Sequence, residues 1–293
     1  MTETTASEDL FTKERARLLG LAYRVLGSLV DAEDVVQEAW IRWSAADREV
    51  IERPSAWLTT VTTRIALDRL KSAHRRREKY VGPWLPEPIV TAPGPEEAAE
   101  AAETLTLGFL AMLEQLDPVS RVVFLLTDVF GYSSTEVSEA VGKSPAACRQ
   151  IATRARKKLQ RARPHRPTAA DRSVIDRLLA AISTGDAEAA MALMSEDVVL
   201  VTDGGPKRHA ARRPVTGPYR VNRFLASISR RISPDVTFAP ATVNAALGVL
   251  MRDPAGQQDA AMAFDITDGV ISAIWVVTNP DKLTRIDTPT SLC

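Results

Sequence analysis

Apolar residues recur at helical spacing through the first half of the chain and turn to strand-like runs in the last third. Leu18, Ala22, Val25 and Leu26 share one face of a helix predicted over 10–26, which Gly27 ends. Val36, Ala39, Trp40 and Trp43 repeat the pattern in a second helix with Asp31 as its expected cap. Its other face carries Asp34, Gln37, Glu38, Ile41 and Arg42. Acids in a first turn favour the helix dipole, but carboxylates joined with an amide and an exposed isoleucine suit a protein partner that presents arginines. Pro54-Ser55 opens a third helix with Leu58, Val61 and Ile65 as its buried stripe. Helical spacing returns at Leu105, Leu113 and Leu116, and again at Val122, Leu125, Leu126 and Val129.

The stretch 133–166 has the clearest local grammar. Ser133 and Glu136 have the spacing of a capping box, Val137, Ala140 and Val141 form a short stripe, Gly142 stops it, and Ser144-Pro145 starts a new helix. Two short helices about a glycine turn read as a helix-turn-helix. On the second, Cys148, Ala152, Ala155 and Leu159 face inward; Arg149, Gln150, Thr153, Arg154, Arg156, Lys157, Gln160 and Arg161 cover the outer arc. Lys143 to Arg166 holds nine Lys/Arg and no Asp or Glu. Solvated faces normally mix signs; this one has the donors that read base edges and neutralise phosphates. His165-Arg166-Pro167 closes the segment.

Beyond it the period changes. Val174–Ile182, Ala187–Met194 and Pro218–Arg231 read as helices. Val198–Thr202, Val236–Thr242, Ala246–Met251, Ala260–Ile266 and Val270–Val277 read as strands, the last two joined by a Thr267-Asp268-Gly269 hairpin turn. The expectation is an α+β domain with an antiparallel sheet. The fold class is therefore multidomain, with two all-α domains followed by an α+β domain. Expected bounds are 1–80, a linker at 81–104, 105–168 and 169–293.

Charge balances over the 293 residues, so the basic helix is a local footprint rather than general polyanion affinity. A second basic tract, Arg64, Arg69, Lys71, His74, Arg75, Arg76, Arg77 and Lys79, lies near Trp43 and Trp57, a combination suited to single-stranded DNA. The linker segment holds five Glu and no Lys or Arg, with Pro93-Gly94-Pro95 before an Ala/Glu run. Trp84-Leu85 inside its proline-rich start is unusual for a free linker and predicts docking on a neighbouring surface. Two cysteines, Cys148 and Cys293, give neither a metal-ligand spacing nor a disulfide framework. The polar N-terminus and the lack of a long apolar run predict a soluble cytoplasmic protein without a signal peptide or membrane partner.

Taken together the chain resembles an extracytoplasmic-function sigma factor of the sigma-70 family, in the subgroup with a C-terminal SnoaL-like (NTF2-like) extension. The resemblance implies core RNA polymerase, through its β′ clamp helices and β flap, and promoter DNA as partners. Asp31-Ala32-Glu33-Asp34-Val35-Val36-Gln37-Glu38-Ala39-Trp40 is similar to the region 2 signature for the β′ clamp helices, implying Asp31, Asp34, Gln37, Glu38, Ile41 and Arg42 as polymerase contacts. Trp57-Leu58 followed by Asp68 and Lys71 resembles the part that opens and reads the −10 element, with Arg64, Arg69, Arg75 and Arg76 beside them; Arg64 stands where the family generally has Asn. Gly131–Leu159 resembles region 4, which reads the −35 element through Arg149, Gln150, Thr153, Arg154, Arg156 and Lys157. At Gln150 and Ile151 the family more often has Ser and Arg. Trp84-Leu85-Pro86-Glu87-Pro88, Asp203-Gly204-Gly205-Pro206-Lys207 and Asn279-Pro280-Asp281-Lys282-Leu283 resemble three motifs of the subgroup, with Pro206 in place of a third glycine. They imply a regulatory junction in which Trp84–Pro88 docks near Asn279–Leu283 and holds the free protein compact.

No cofactor or metal is expected. His209 stands alone in a basic loop, no nucleophile–base set is present, and Asp203, Asp235 and Asp265 read as scattered acids near turns, caps rather than catalysts. A sigma factor whose C-terminal domain senses an unknown small molecule in its pocket is an alternative that stays open, although no residue pattern in the sequence supports it. The competing reading is a ligand-gated helix-turn-helix repressor, which would have no use for the Asp31–Trp43 face or the basic 64–79 helix.

Overall fold

Gly27 and Ser28 turn the chain between its first two helices in the computed structural model, which describes residues 2–90, 104–159 and 169–286, with side chains from Leu10 onward. Gly27 adopts φ +67°, and Ser28 caps the next helix by accepting the Asp31 N–H at 3.2 Å. The expected cap, Asp31, is thus inside the first turn: serine reaches back from a β-region residue, as capping requires. Gln160, Arg161, His165-Arg166-Pro167, Pro93-Gly94-Pro95 with the acidic run, and Cys293 lie outside the described residues.

The described parts of 1–79 and 112–161 form one unit, and those of 80–111 and 162–290 a second. The first is helical. α1 (Thr2–Leu26), α2 (Leu29–Ala45) and α3 (Pro54–Arg77) bury Leu18, Leu21, Val25, Val35, Leu58 and Ile65 among themselves. The division falls within α4 (Leu107–Leu113), after which α5 (Pro118–Phe124) passes into a π-helical turn at Leu125–Val129. α6 (Ser134–Val141) and α7 (Pro145–Leu159) follow, with α6 and α5 packed against α3.

In the second unit, α8 (Ala169–Thr184) and α9 (Ala187–Ala192) lead into β1 (Met194–Asp203) and β2 (Val215–Thr216). α10 (Pro218–Ser229) then precedes the meander β3 (Thr237–Val243), β4 (Ala246–Arg252), β5 (Gln258–Thr267) and β6 (Val270–Val277). The order is β2-β1-β6-β5-β4-β3. All pairs are antiparallel except β1 with β6, which are parallel, Asp203 facing Val277. The sheet is therefore mixed, not antiparallel as expected. The meander returns its last strand beside the first, and the long α10 crossover fixes the parallel sense. Asp268 (φ 52°) and Gly269 (φ 77°) make the predicted β5–β6 hairpin turn.

Strand alternation sorts the side chains onto two covered faces. Val198, Leu200, Phe264 and Ile274 meet Ile175, Leu178 and Val221 of the helices. On the other face Val201, Ala261, Ala263 and Val277 meet Leu85, Leu107, Leu283 and Ile286. The described start of the segment read as a linker, residues 81–90, is thus part of a layer of this unit. Among the described residues no helix is long and apolar enough to cross a membrane, and no group of three His, Cys, Asp or Glu could hold a metal ion.

Candidate functional site

The helix-turn-helix is built as its caps dictate. Ser133 Oγ accepts the Glu136 N–H at 3.3 Å, and Glu136 Oε2 accepts the Ser133 N–H at 3.0 Å. Gly142 turns the chain in the left-handed region at φ +66°, and Ser144 Oγ accepts the Ala147 N–H to start α7. Burial of Cys148, Ala152, Ala155 and Leu159 then fixes the rotation of α7, leaving Arg149, Gln150, Thr153, Arg154, Arg156 and Lys157 exposed. Arg149 donates to Ser134 Oγ at 3.0 Å, and Arg156 to Asp128 at 2.5 Å, a bond that raises its pKa. Arg154 and Lys157 form no ion pair among the described residues.

α3 is engaged along its length. Trp57 lies 5.5 Å from Trp43, ring centre to ring centre. Arg64 donates to the Glu139 carbonyl on α6 at 2.7 Å, and Arg53, just before α3, pairs with Glu136 at 2.8 Å. Tyr132, ahead of α6, shares hydrogen bonds with Arg17 (2.6 Å) and Thr59 (3.0 Å). Asp68 pairs with Lys71, while Arg75 and Arg76 are exposed. Arg69, grouped by sequence with the DNA-facing residues, instead pairs with Asp34 at 3.0 Å and reaches Glu38 at 3.7 Å; Arg42 also pairs with Glu38. Asp31 is half-buried, whereas Gln37 and Ile41 are exposed, Ile41 by 58% despite its apolar side chain.

Arg77 departs from the basic tract altogether. It is half-buried at the end of α3, with Nη1 2.7 Å from Glu114 Oε1, and donates as well to the Leu26 carbonyl. Glu114 also accepts from the fully buried Arg121, which donates onward to the Arg24 carbonyl at 3.1 Å. Burial alone would raise the Glu114 carboxyl, but Arg121 and Arg77 hold it below its ordinary range. Burial draws Arg77 down to about 10, which leaves it charged at neutral pH.

In the second unit the three motifs meet on one carboxylate. Asp203, 1% exposed, accepts from Tyr80 Oη (2.6 Å) and the Gly205 N–H (3.0 Å) on one oxygen, and from the Leu85 N–H (2.8 Å) and Lys282 Nζ (2.7 Å) on the other. Lys282 also donates to the Leu85 carbonyl and sits 4.1 Å from the Trp84 ring centre. Asn279 donates to Tyr80 Oη at 2.8 Å and caps the turn Pro280–Lys282 through the Asp281 N–H. Lys207 pairs with Asp281 at 2.5 Å. A Cβ on Gly205 would fall 2.5 Å from Asn279 Nδ2, so only glycine fits there. Gly204 is as constrained: a Cβ would fall 2.6 Å from the Arg208 carbonyl. Pro86, Glu87, Pro88 and Leu283 are buried around this junction.

Tyr80 has no motif to announce it, and neither has Asn244. Asn244, held at φ 51° in the β3–β4 turn, donates its N–H to the Ile89 carbonyl and accepts the Ile89 N–H on its side chain. The signal for it was an asparagine at a tight turn. Burial, then the bond to Asp203, pushes the Tyr80 phenol up, so it stays a donor.

Asp203 does cap its turn, through the Gly205 N–H, besides its longer-range bonds, but Asp265 is not the turn cap expected of it. Asp265 lies within β5, half-buried, accepting from Trp275 Nε1 at 2.8 Å, and desolvation pushes its carboxyl up. A raised acid contributes stability that is present below its ordinary value of 3.8 and lost as pH rises through the folded value. Asp265→Asn keeps the acceptor for Trp275 and removes the ionisation. It is expected to raise the Tm at neutral pH and to flatten its change with pH, as thermal melts from about pH 4 to pH 8 will measure.

Residues 10–76 match Sigma-70 region 2, and residues 107–159 match Sigma-70, region 4. The chain is 42% identical over 289 residues to the ECF RNA polymerase sigma factor SigJ of Mycobacterium tuberculosis, spanning 94% of this chain and 92% of that protein. It is 30% identical over 274 residues to the probable ECF RNA polymerase sigma factor SigI of the same species, spanning 92% of each. The crystal structure of M. tuberculosis SigJ superposes with a TM-score of 0.75 at 37% identity, covering 94% of this chain and 98% of that one.

Proposed function

We infer how this protein works from its kinship, for the chain belongs to the extracytoplasmic-function RNA polymerase sigma factors of the sigma-70 family. Its function is promoter-specific transcription initiation, and that membership sets the repressor reading aside. Its partners are core RNA polymerase and promoter DNA. We assign core binding to the α2 face of Asp31, Asp34, Gln37, Glu38, Ile41 and Arg42, docking on the β′ clamp helices, with region 4 meeting the β flap. Exposed Ile41 beside carboxylates supports this: an apolar side chain in water gains by burial against a partner.

The observation that carries the DNA reading is the outward, unmixed basic face of α7. Arg149, Gln150, Thr153, Arg154, Arg156 and Lys157 are assigned to the −35 element, and Trp57, Arg64, Asp68, Arg69, Lys71, Arg75 and Arg76 to the −10 element. The two surfaces differ in the free protein. α7 is open, whereas Arg64 and Arg53 are held by α6, so −10 reading requires α6 to leave α3. Arg149→Ala or Arg154→Ala removes a base or phosphate contact worth about 1–3 kcal/mol. The expected result is a fall of roughly tenfold or more in run-off transcription from a cognate promoter, with core binding intact. Equal activity of variants and wild type would refute the assignment.

The junction on Asp203 is read as regulatory rather than catalytic. Asp203 is tied up by four donors and Asp265 by Trp275, with no nucleophile–base pair between them. The strap 80–111 joins regions 2 and 4 in the chain. Free, about thirty residues could span roughly 100 Å; with Leu85, Ile89, Leu105 and Leu107 held on the sheet domain, less of that length is free. Anchoring the strap therefore sets how far the two DNA-reading regions can part.

A further inference from the structure

Beside the Asp203 junction lies a cavity of ≈ 180 Å³ that the regulatory reading does not use. Val81 and Gly82 of the strap form one wall; Thr202, at the end of β1, and the loop from Gly205 to Arg212 form the rest. The loop supplies Lys207, Arg208, His209 and Arg212. Two of these charges are paired at the rim, Lys207 with Asp281 and Arg208 with Asp259, each at 2.5 Å. Arg212 forms no ion pair among the described residues, and the nearby Asp203 is already compensated by Lys282. The cavity therefore carries excess positive charge in a concave space, where field lines focus. Thr202 Oγ1 accepts the Ala211 N–H at 2.8 Å and holds the loop closed over it. Pro206 stiffens the loop and has no N–H to offer.

We propose that this cavity binds a small oxyanion, a phosphate group free or as a monoester, between the strap and the Lys207–Arg212 loop. Planar guanidinium donors suit phosphate geometry. The volume holds several waters at about 30 Å³ each but falls below the roughly 300 Å³ where drug-sized ligand pockets begin, so the occupant is compact. A duplex backbone is a poorer fit to a concave site. Because Val81 and Gly82 are wall residues four and three positions from Leu85, a bound anion also favours the docked strap. That second clause rests on the regulatory reading above; the binding itself does not.

The test titrates the full-length protein with inorganic phosphate, and separately with ribose 5-phosphate, at ionic strength held constant with sodium chloride. Calorimetry reads binding, and hydrogen exchange reads residues 81–89. Saturable binding that weakens at least tenfold in Arg212→Ala and in Arg208→Ala/Arg212→Ala is expected, with wild-type melting and circular dichroism confirming that both variants fold. Tighter binding of the sugar phosphate identifies a monoester as the source, and equal binding identifies the phosphate group alone. No saturable binding, unchanged affinity in the variants, or loop-dependent binding of a short DNA duplex without phosphate binding overturns the proposal. Binding that leaves exchange at 81–89 unmoved overturns the coupling to the strap and leaves the regulatory reading to its own test.

Discussion

Asp203→Ala will loosen the strap: amide exchange at Leu85 and Ile89 is expected to rise by roughly two to three orders of magnitude. The substitution strands the Lys282 ammonium in a buried setting and leaves Tyr80 Oη and the N–H groups of Gly205 and Leu85 without their acceptor. Removing one partner of a buried ion pair costs about 3–5 kcal/mol, and each 1.4 kcal/mol, about tenfold, appears in an opening equilibrium. Leaving the sheet costs Leu85 about 1.5–3 kcal/mol of burial, and Asn244 still holds Ile89, so the strap is loosened rather than released. Asp203→Asn retains an acceptor and should fall between. Because Lys282 and Asp203 act together, the double variant Asp203→Ala/Lys282→Met is expected to lose less than the two single losses added. Unchanged protection at 84–89 in Asp203→Ala would remove the junction from the account.

Glu114→Ala is the second large effect, expected to lower the stability of the helical unit by about 3–5 kcal/mol in a denaturant titration. One carboxylate there serves two guanidinium groups, the half-buried Arg77 of α3 and the buried Arg121 of α5, and its loss leaves both uncompensated. The same site gives a pH signature. The Glu114 carboxyl is depressed in the folded protein, so its contribution is present above the ordinary value of 4.5 and lost as pH falls through the folded value. Wild type should therefore lose stability toward acid more steeply than Glu114→Gln, measured as the urea midpoint against pH. Parallel profiles for the two proteins would contradict this assignment. The triad joins the end of α3 to α5, hence region 2 to region 4. Substituting all three residues by apolar groups of similar volume could restore stability, as buried ionic clusters often allow.

What the sequence alone determined is local. Capping chemistry, a glycine at a left-handed turn and a 3.6-residue stripe specify α6 and α7 and orient the basic face, because each acts within four residues of itself. The Asp268-Gly269 turn and the β6 bounds were legible for the same reason. Two apolar side chains in a proline-rich stretch announced that the strap docks, and the motif pairs announced where. What only the tertiary structure decided is long-range. Arg69 and Arg77 sit in one basic run, yet one meets the acids of α2 and the other the half-buried Glu114, choices made by the rotation of α3 against its neighbours. The parallel β1–β6 pair, the role of Tyr80 and the convergence of four donors on Asp203 join residues more than seventy positions apart, apart from Gly205. No periodicity carries that information. It arises when the sheet buries both faces and a carboxylate left inside must find partners from wherever the chain returns.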